Sequence, residues 1–239
     1  MAFGTRLKMY FRLTHSPIKT LAELTGQPQK LMPSLGWMLL FRVPLAWAAC
    51  LISYTWVDLL QKVIMNPPAA LTDLAGKYSI QAKDAMLELR HLPTMPPIGV
   101  AWPWAGLFAL LGVICLWMHN VAWDHLSLWI LRGVRPKPSL RASGIAIAEA
   151  MGAASFGAVF GLLAGVPIVG FFALPLVMIA GIYYWALRGL SLAKFHECPL
   201  WKGMAAIMLH VFLAIMVYGA MFLLAGLFAA SFAFAFCLS

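Results

Sequence analysis

Five long apolar stretches constrain the fold of this chain more than any other feature of its sequence. They cover approximately residues 35–60, 99–131, 143–164, 167–187 and 204–237. Each reaches or exceeds the ~20 residues that a helix needs to cross the hydrocarbon core of a bilayer. Inside a bilayer such a segment must be helical, because its backbone groups have no water to bond. The sequence therefore predicts an all-α membrane protein built on a bundle of five transmembrane helices.

The composition agrees with this prediction. The chain has 239 residues, of which 63% are hydrophobic and 10% are charged, and its mean hydropathy is +0.86. Soluble domains average about 45–50% apolar and about 25% charged residues. The net charge of +9 comes from basic residues that flank the apolar stretches, so it does not indicate a nucleic-acid partner. We expect residues 1–239 to form a single domain.

The distribution of lysine and arginine predicts the orientation. Basic residues dominate the N-terminal segment, the loop after the second stretch and the loop after the fourth. With five spans these three segments lie on the same side of the membrane, and basic loops of this kind face the cytoplasm. We therefore expect a cytoplasmic N-terminus and a C-terminus outside. The outer loop, residues 66–98, has balanced charges and apolar residues at helical spacing, which predicts one or two short helices there.

Residues 1–34 are predicted to be a cytoplasmic segment that lies on the membrane surface. Ser16 is a suitable N-cap, Pro17 suits the first helical turn, and Gly26 suits the end of a short helix. Apolar residues alternate with cations in this segment, a pattern typical of an amphipathic helix in the headgroup plane. The cations predicted to contact the membrane surface are Arg6, Lys8, Arg12 and Lys19.

Ionisable residues interrupt four of the five predicted spans. Counted from the cytoplasmic end, they lie at nearly the same depth, roughly 10–12 Å along each helix. Isolated charges are costly in hydrocarbon, so they face the bundle interior and find partners. We predict a polar layer in which Glu149 and Asp124 pair with Arg42 and with histidines. Its members are Arg42, Asp124, His125, Glu149 and His210.

Three interpretations of this layer stay open. The layer is a proton, ion or lipid-headgroup site, or it is a structural network without transport. In the third interpretation, the first two spans are overlong and their polar residues only reach the membrane interface. Glu149 fits that third interpretation poorly, because its span is barely long enough to cross the bilayer.

Small residues recur at intervals of four in the third span. Residues four apart lie on one helix face, so the row makes a smooth surface that another helix can approach closely. Packing within the bundle is the favoured interpretation, and an oligomer interface is the second. The row consists of Ala153, Gly157, Gly161 and Gly165.

The order of several short motifs resembles the Yip family, five-span membrane proteins named in eukaryotes for their interaction with Rab/Ypt GTPases. The motifs are "SPIKTLAEL", "HLSLWILRG", "SLRASGIAIAEA" and "GVPIVGFFALPLVMIAGIYYWALRGLSLAKFHECPLWKG". The positions that match the family pattern are Pro17, His125, Leu126, Gly133, Leu140, Arg141, Pro167, Ile168, Gly170, Gly189, Leu190, His196 and Lys202.

This resemblance covers essentially the whole chain. It implies a compact member of the kind found in the bacterial inner membrane, with no defined chemistry. The long cytoplasmic N-terminal region that serves trafficking partners in eukaryotic members has no counterpart here, so we do not expect a Rab-type GTPase as partner. The tyrosine-proline pattern usual early in the third span is replaced by "AIAEAMGAASFG".

Motifs for enzymatic chemistry are absent from the sequence. It has no P-loop, zinc-protease helix, dinucleotide loop or nucleophile elbow. His196, Glu197 and Cys198 are adjacent in the chain, and adjacent side chains do not converge easily on one metal ion. We therefore expect no metal, no cofactor and no catalytic residue.

Two functions fit these observations. The first is a non-enzymatic protein that scaffolds membrane components or shapes the membrane, with the lipid bilayer, other membrane proteins or further copies of itself as partners. The second is a small transporter or channel component that uses the polar layer. Permeases usually show internal repeats with broken helices. This sequence shows no convincing repeat, which favours the first function.

Overall fold

The structure is a computed structural model, and the part of the chain that it describes is almost entirely helical. It describes residues 3–26, 30–66, 69, 73, 77, 95–136, 139–166 and 169–237, with side chains up to Gly226. Seven helices and no strand occur in these ranges. They are α1 (Phe3–His15), α2 (Pro17–Thr25), α3 (Leu31–Met65), α4 (Ile98–Ile130), α5 (Ser139–Ala164), α6 (Val169–Phe195) and α7 (Leu200–Cys237).

The five helices α3 to α7 are long and apolar enough to cross a membrane. The predicted fold class, an all-α membrane protein with five spans, is therefore confirmed. The fourth span was predicted to end at residue 187, but α6 continues to Phe195. The prediction stopped too early because Arg188 interrupts the apolar run, whereas in the structure this side chain is buried against other helices.

Helix α5 is the centre of the bundle. It packs against α3, α4 and α6, while α7 packs against α4 and α6 and α3 packs against α4. The most apolar window of α5 is 56% buried, compared with 6–11% for the other four spans. The many alanines and glycines of α5 explain this position, because small side chains let neighbouring helices approach closely.

The N-terminal helices are docked on this bundle. α1 packs against α5 and α2 packs against α6. α2 begins at Pro17 and ends at Thr25, where its cap signals place it. α1 buries Arg6, Tyr10 and Leu13, three residues that share one helix face. One face of the predicted membrane-surface helix thus belongs to the protein core, a contact that the sequence interpretation did not include.

The half of the bundle far from α1 and α2 is more open. Large apolar side chains of α6 and α7 project outward there, such as Phe171, which is 79% exposed, and Phe222, which is 81% exposed. Exposed apolar surface of this kind is expected where helices face lipid. Most of the predicted outer loop, residues 66–98, and the predicted start of the fourth span at 167–168 lie outside the described residues.

Candidate functional site

A buried ion pair joins α4 to α6. The Arg188 guanidinium donates from Nε to Asp124 Oδ2 over 2.9 Å and from Nη2 to Oδ1 over 2.6 Å. Asp124 is fully buried and the Arg188 side chain is 5% exposed. Two parallel bonds between a guanidinium and a carboxylate form one of the strongest charge-assisted contacts in proteins. The pair therefore fixes the relative position of these two helices.

A chain of polar groups extends from this pair toward α7. His210 Nδ1 lies 2.5 Å from Asp124 Oδ1, and His210 Nε2 lies 3.3 Å from His119 Nε2. His119 Nδ1 lies 3.0 Å from the hydroxyl of Tyr218, whose side chain is exposed. Arg188 Nη2 also lies 2.9 Å from His210 Nδ1, and this nitrogen either accepts from Arg188 or donates to Asp124. With the proton on Nδ1, one arrangement satisfies the three contacts of the chain. Tyr218 donates to His119, His119 donates to His210, and His210 donates to Asp124.

Glu149 has a partner from the N-terminal segment. Arg6 on α1 forms a buried ion pair with it, and the two side chains are 4% and 0% exposed. The Arg6 guanidinium also lies 4.8 Å from the centre of the Tyr10 ring. Burial alone would lower the pKa of Arg6, but Glu149 and Tyr10 outweigh it and the pKa is raised above its usual value. Arg6 therefore stays charged in its buried position.

The surroundings of this pair hold α1 against α5. Tyr10 packs over Gly152, where a Cβ would overlap the tyrosine ring. The hydroxyl of Tyr183 on α6 donates to the carbonyls of Leu13 and Thr14, 2.9 and 2.8 Å away, at the end of α1. These contacts anchor α1 at both ends of its buried face.

The expected pairing of Glu149 with Arg42 does not occur. Arg42 of α3 is half-buried and lines a groove between α3, α5 and α6. Tyr184, which lines the same groove, is the ionisable residue that interacts electrostatically with it. Among the described residues, Arg42 has no hydrogen bond or ion pair. The difference arises because Arg6, which was predicted to be a surface cation, is the residue that pairs with Glu149.

His125 belongs to a third group. Its Nδ1 lies 2.8 Å from the Ser143 hydroxyl, which in turn lies 2.8 Å from His196 Nε2. His196 Nδ1 accepts the backbone N–H of Arg135 over 3.3 Å. Because Nδ1 is an acceptor, Nε2 carries the proton and donates to Ser143, which donates to His125. This group joins the α4–α5 and α6–α7 turns.

The single polar layer predicted from the sequence is therefore three separate groups. Asp124 and His210 lie together, as expected, and their charge partner is Arg188. Glu149 lies with Arg6, while His125 lies with Ser143 and His196. Arg42 stands apart from all three.

The row of small residues packs against helices of its own bundle. A Cβ on Gly157 would lie 2.9 Å from the Ala180 Cβ of α6, and one on Gly165 would lie 2.8 Å from Ile52 of α3. Ala153 is fully buried. Gly161 differs, because a Cβ there would meet nothing within 4 Å.

Three of the four predicted surface cations are exposed, namely Lys8, Arg12 and Lys19. Arg12 forms an exposed ion pair with Glu23, at 2.7 and 2.8 Å. Arg6 is the exception and is a core residue. The i, i+4 and i+7 spacing of Arg6, Tyr10 and Leu13 was the signal that places all three on one face.

Among the charged and ionisable site residues that the sequence interpretation did not include are Arg188 and His119, besides Arg6. Arg188 was counted as a loop cation, although the small residues that follow it, such as Gly189 and Ala193, are typical of a packed helix. His119 lies five residues before Asp124 as a lone histidine in an apolar run, a pattern that does not by itself indicate a partner.

Neither a metal centre nor a match to a known protein defines the site further. Within the described ranges, no group of three or more His, Cys, Asp or Glu side chains could hold a metal ion. The chain matches no protein-family model, no curated protein and no solved structure. Fold and site together define a multi-pass, all-helical membrane protein whose buried charges are paired across helices.

Proposed function

We propose that this protein is a non-enzymatic scaffold of the bacterial inner membrane that organises other membrane components through lateral helix contacts. The observation that carries the proposal is that the two buried acids of the described residues are paired with arginines, Asp124 with Arg188 and Glu149 with Arg6. Paired, desolvated charges hold helices in place and are poor binding groups for a transported ion. The resemblance to the Yip family, which implies no defined chemistry for compact members, agrees with the non-enzymatic part of this proposal.

The surfaces available for such contacts are the outward faces of α6 and α7. Phe171, Phe172 and Phe222 are each more than 70% exposed, at 79, 73 and 81%. On the cytoplasmic side, the proposed scaffold presents the exposed basic face of α1 and α2 to anionic headgroups. This orientation follows from the basic loops predicted to face the cytoplasm.

Photo-crosslinking in intact membranes tests the proposal. A photoreactive amino acid at Phe222 on α7 or Phe171 on α6 is expected to give protein adducts of discrete mass. The same group at Phe108 on α4, which is 64% exposed, is the matched control. Adducts with lipid alone at all three positions would contradict lateral assembly with proteins.

A second function, as a transporter or channel component, is favoured by one observation. The hydrogen-bonded chain from Asp124 through His210 and His119 ends at the exposed Tyr218, so it joins a buried carboxylate to the protein surface. Proteoliposomes with an internal pH dye test it. Proton flux that is lost in Asp124→Asn, while the protein stays folded, would replace the scaffold proposal; the scaffold predicts no flux above that of empty liposomes.

A further inference from the structure

Arg42 is a half-buried cation of α3, and two other arginines of the described residues, Arg6 and Arg188, are fully in the core. Arg6 and Arg188 each reach a carboxylate, whereas Arg42 reaches none among the described residues. A charged side chain inside a membrane span is costly unless it meets an opposite charge or water. We therefore expect the charge of Arg42 to be compensated by an anionic group that is not among the described residues.

A groove beside Arg42 offers space for a bound molecule. Its volume is about 270 Å³, and it lies between α3, α5 and α6. Its walls are mostly small residues, among them Gly157, Ala158, Gly161 and Gly181, with the Tyr184 ring beside Arg42. Cβ atoms on Gly161 or Gly181 would meet nothing within 4 Å, so this wall faces open space.

The polar and apolar parts of the groove lie at opposite ends. Arg42 and Tyr184 lie toward the end of the bundle that carries the basic turns and the N-terminal helices. From there α5 runs from Ala154 to Gly161 and the antiparallel α6 runs back from Tyr184 to Val177, away from the charge. Going from the basic end toward the middle of the bundle, the groove thus presents a charge and then an apolar wall. A lipid in the leaflet on the basic side has its headgroup and acyl chain in the same order.

We propose that this groove binds an anionic phospholipid, with a phosphate oxygen on the Arg42 guanidinium and an acyl chain along the small residues of α5 and α6. A guanidinium binds phosphate through two parallel hydrogen bonds. The lipid carries a net negative charge because the groove supplies one cation and no acid. The site is independent of the scaffold role, since a lipid bound here serves a transporter equally well.

Native mass spectrometry of the full-length protein in detergent tests the charge. The protein is mixed with phosphatidylglycerol, phosphatidylcholine or oleate, and the bound fraction is measured. We expect one phosphatidylglycerol retained preferentially, with about tenfold or greater loss in Arg42→Gln, in line with the removal of a charged hydrogen-bond donor. Lys8→Gln removes an exposed cation of α1 and is the matched control.

A second pair of variants tests the groove itself. Gly161→Leu fills the open space, whereas Gly112→Leu adds the same side chain to an exposed glycine of α4 that also meets nothing within 4 Å. Both are expected to melt like the wild type, and only Gly161→Leu is expected to lose the lipid.

Four results would overturn the proposal, and the first three concern phosphatidylglycerol, phosphatidylcholine and the groove. They are equal retention of phosphatidylglycerol by wild type and Arg42→Gln, equal retention of phosphatidylcholine by the wild type, and lipid binding that survives Gly161→Leu. Preferential retention of oleate would show that the site takes a fatty-acid carboxylate instead, and would equally overturn the assignment to a phospholipid.

Discussion

At Asp124, one carboxylate receives contacts from two helices, Arg188 of α6 and His210 of α7. Removing the charge of the acid would leave the guanidinium buried without compensation. We expect Asp124→Asn to lower the free energy of unfolding by about 3–5 kcal/mol, as for other broken buried pairs. Denaturation in mixed micelles, followed by circular dichroism, measures this value.

The matched control for this prediction is the double variant Asp124→Asn with Arg188→Gln. Because it removes both charges, it is expected to recover a large part of the lost stability. Equal stability of Asp124→Asn and the wild type would show that the pair contributes nothing to holding α4 and α6 together.

His196 makes stability depend on pH. Burial, followed by the neighbouring His125 and Arg135, lowers the pKa of His196 from 6.5 to about 4. Between these values the unfolded chain binds a proton that the folded chain does not, so stability falls as the pH falls from about 6.5 to about 4. Above pH 6.5 this effect is absent.

We expect melting temperatures measured between pH 7.5 and 4.5 to decline less in His196→Gln than in the wild type. The difference between the two curves isolates this histidine, because the other titrating groups are common to both. The stability at stake is on the order of 1–3 kcal/mol. Parallel curves for the two proteins would argue against the buried neutral state of His196.

At the scale of the element, the docking of α1 against α5 depends on Gly152. A side chain on Gly152 would overlap the Tyr10 ring and push α1 away from α5. We expect Gly152→Val to speed tryptic cleavage after Arg6, which is buried in the docked helix. The rate should rise about tenfold for each 1.4 kcal/mol of docking free energy lost. In Gly112→Val, whose site is open, cleavage should be unchanged.

The turn after α4 has a backbone conformation that favours glycine. Arg132 has φ of 52°, in the left-handed region, which costs a non-glycine residue about 1–2 kcal/mol. We expect Arg132→Gly to stabilise the protein by about 1 kcal/mol, measured as a higher melting temperature. The carbonyl of residue 132, which accepts a bond from Lys202 over 2.9 Å, is kept. A lower melting temperature would show that the arginine side chain matters more than the strain.

The helices could largely be predicted from the sequence, whereas the side-chain partners of the buried acids could not. The spans follow from apolar runs, and α2 follows from Ser16, Pro17 and Gly26, because these signals are local in the sequence. The partners of Glu149 and Asp124 are contacts over 143 and 64 residues of sequence. Depth along a helix limits which groups can meet, but the face of each helix and its neighbours decide which ones do.

At the scale of the whole molecule, the basic turns gather at one end of the bundle. Lys202 of α7 bonds the carbonyl of Arg132, and Arg135 bonds the carbonyl of Phe195, so the α4–α5 and α6–α7 turns are adjacent. Since cytoplasmic segments are rich in lysine and arginine, we expect this end to face the cytoplasm. With five spans, we then expect the C-terminus outside.

Fusions to the C-terminus test this orientation. Alkaline phosphatase is expected to be active there and green fluorescent protein dark, because each folds on one side of the inner membrane only. The same reporters at the α4–α5 turn should give the opposite result. An active phosphatase at that turn would reverse the assigned orientation.

The contact between Arg6 and Glu149 also orders events during synthesis. The ribosome makes Glu149 143 residues after Arg6, so α1 exists long before its binding surface on α5. During that interval its basic, amphipathic sequence favours binding to the membrane surface. Insertion of the third span then supplies the carboxylate that Arg6 of α1 binds. The ion pair can thus form before α6 and α7 are synthesised, and it also contributes to the finished fold.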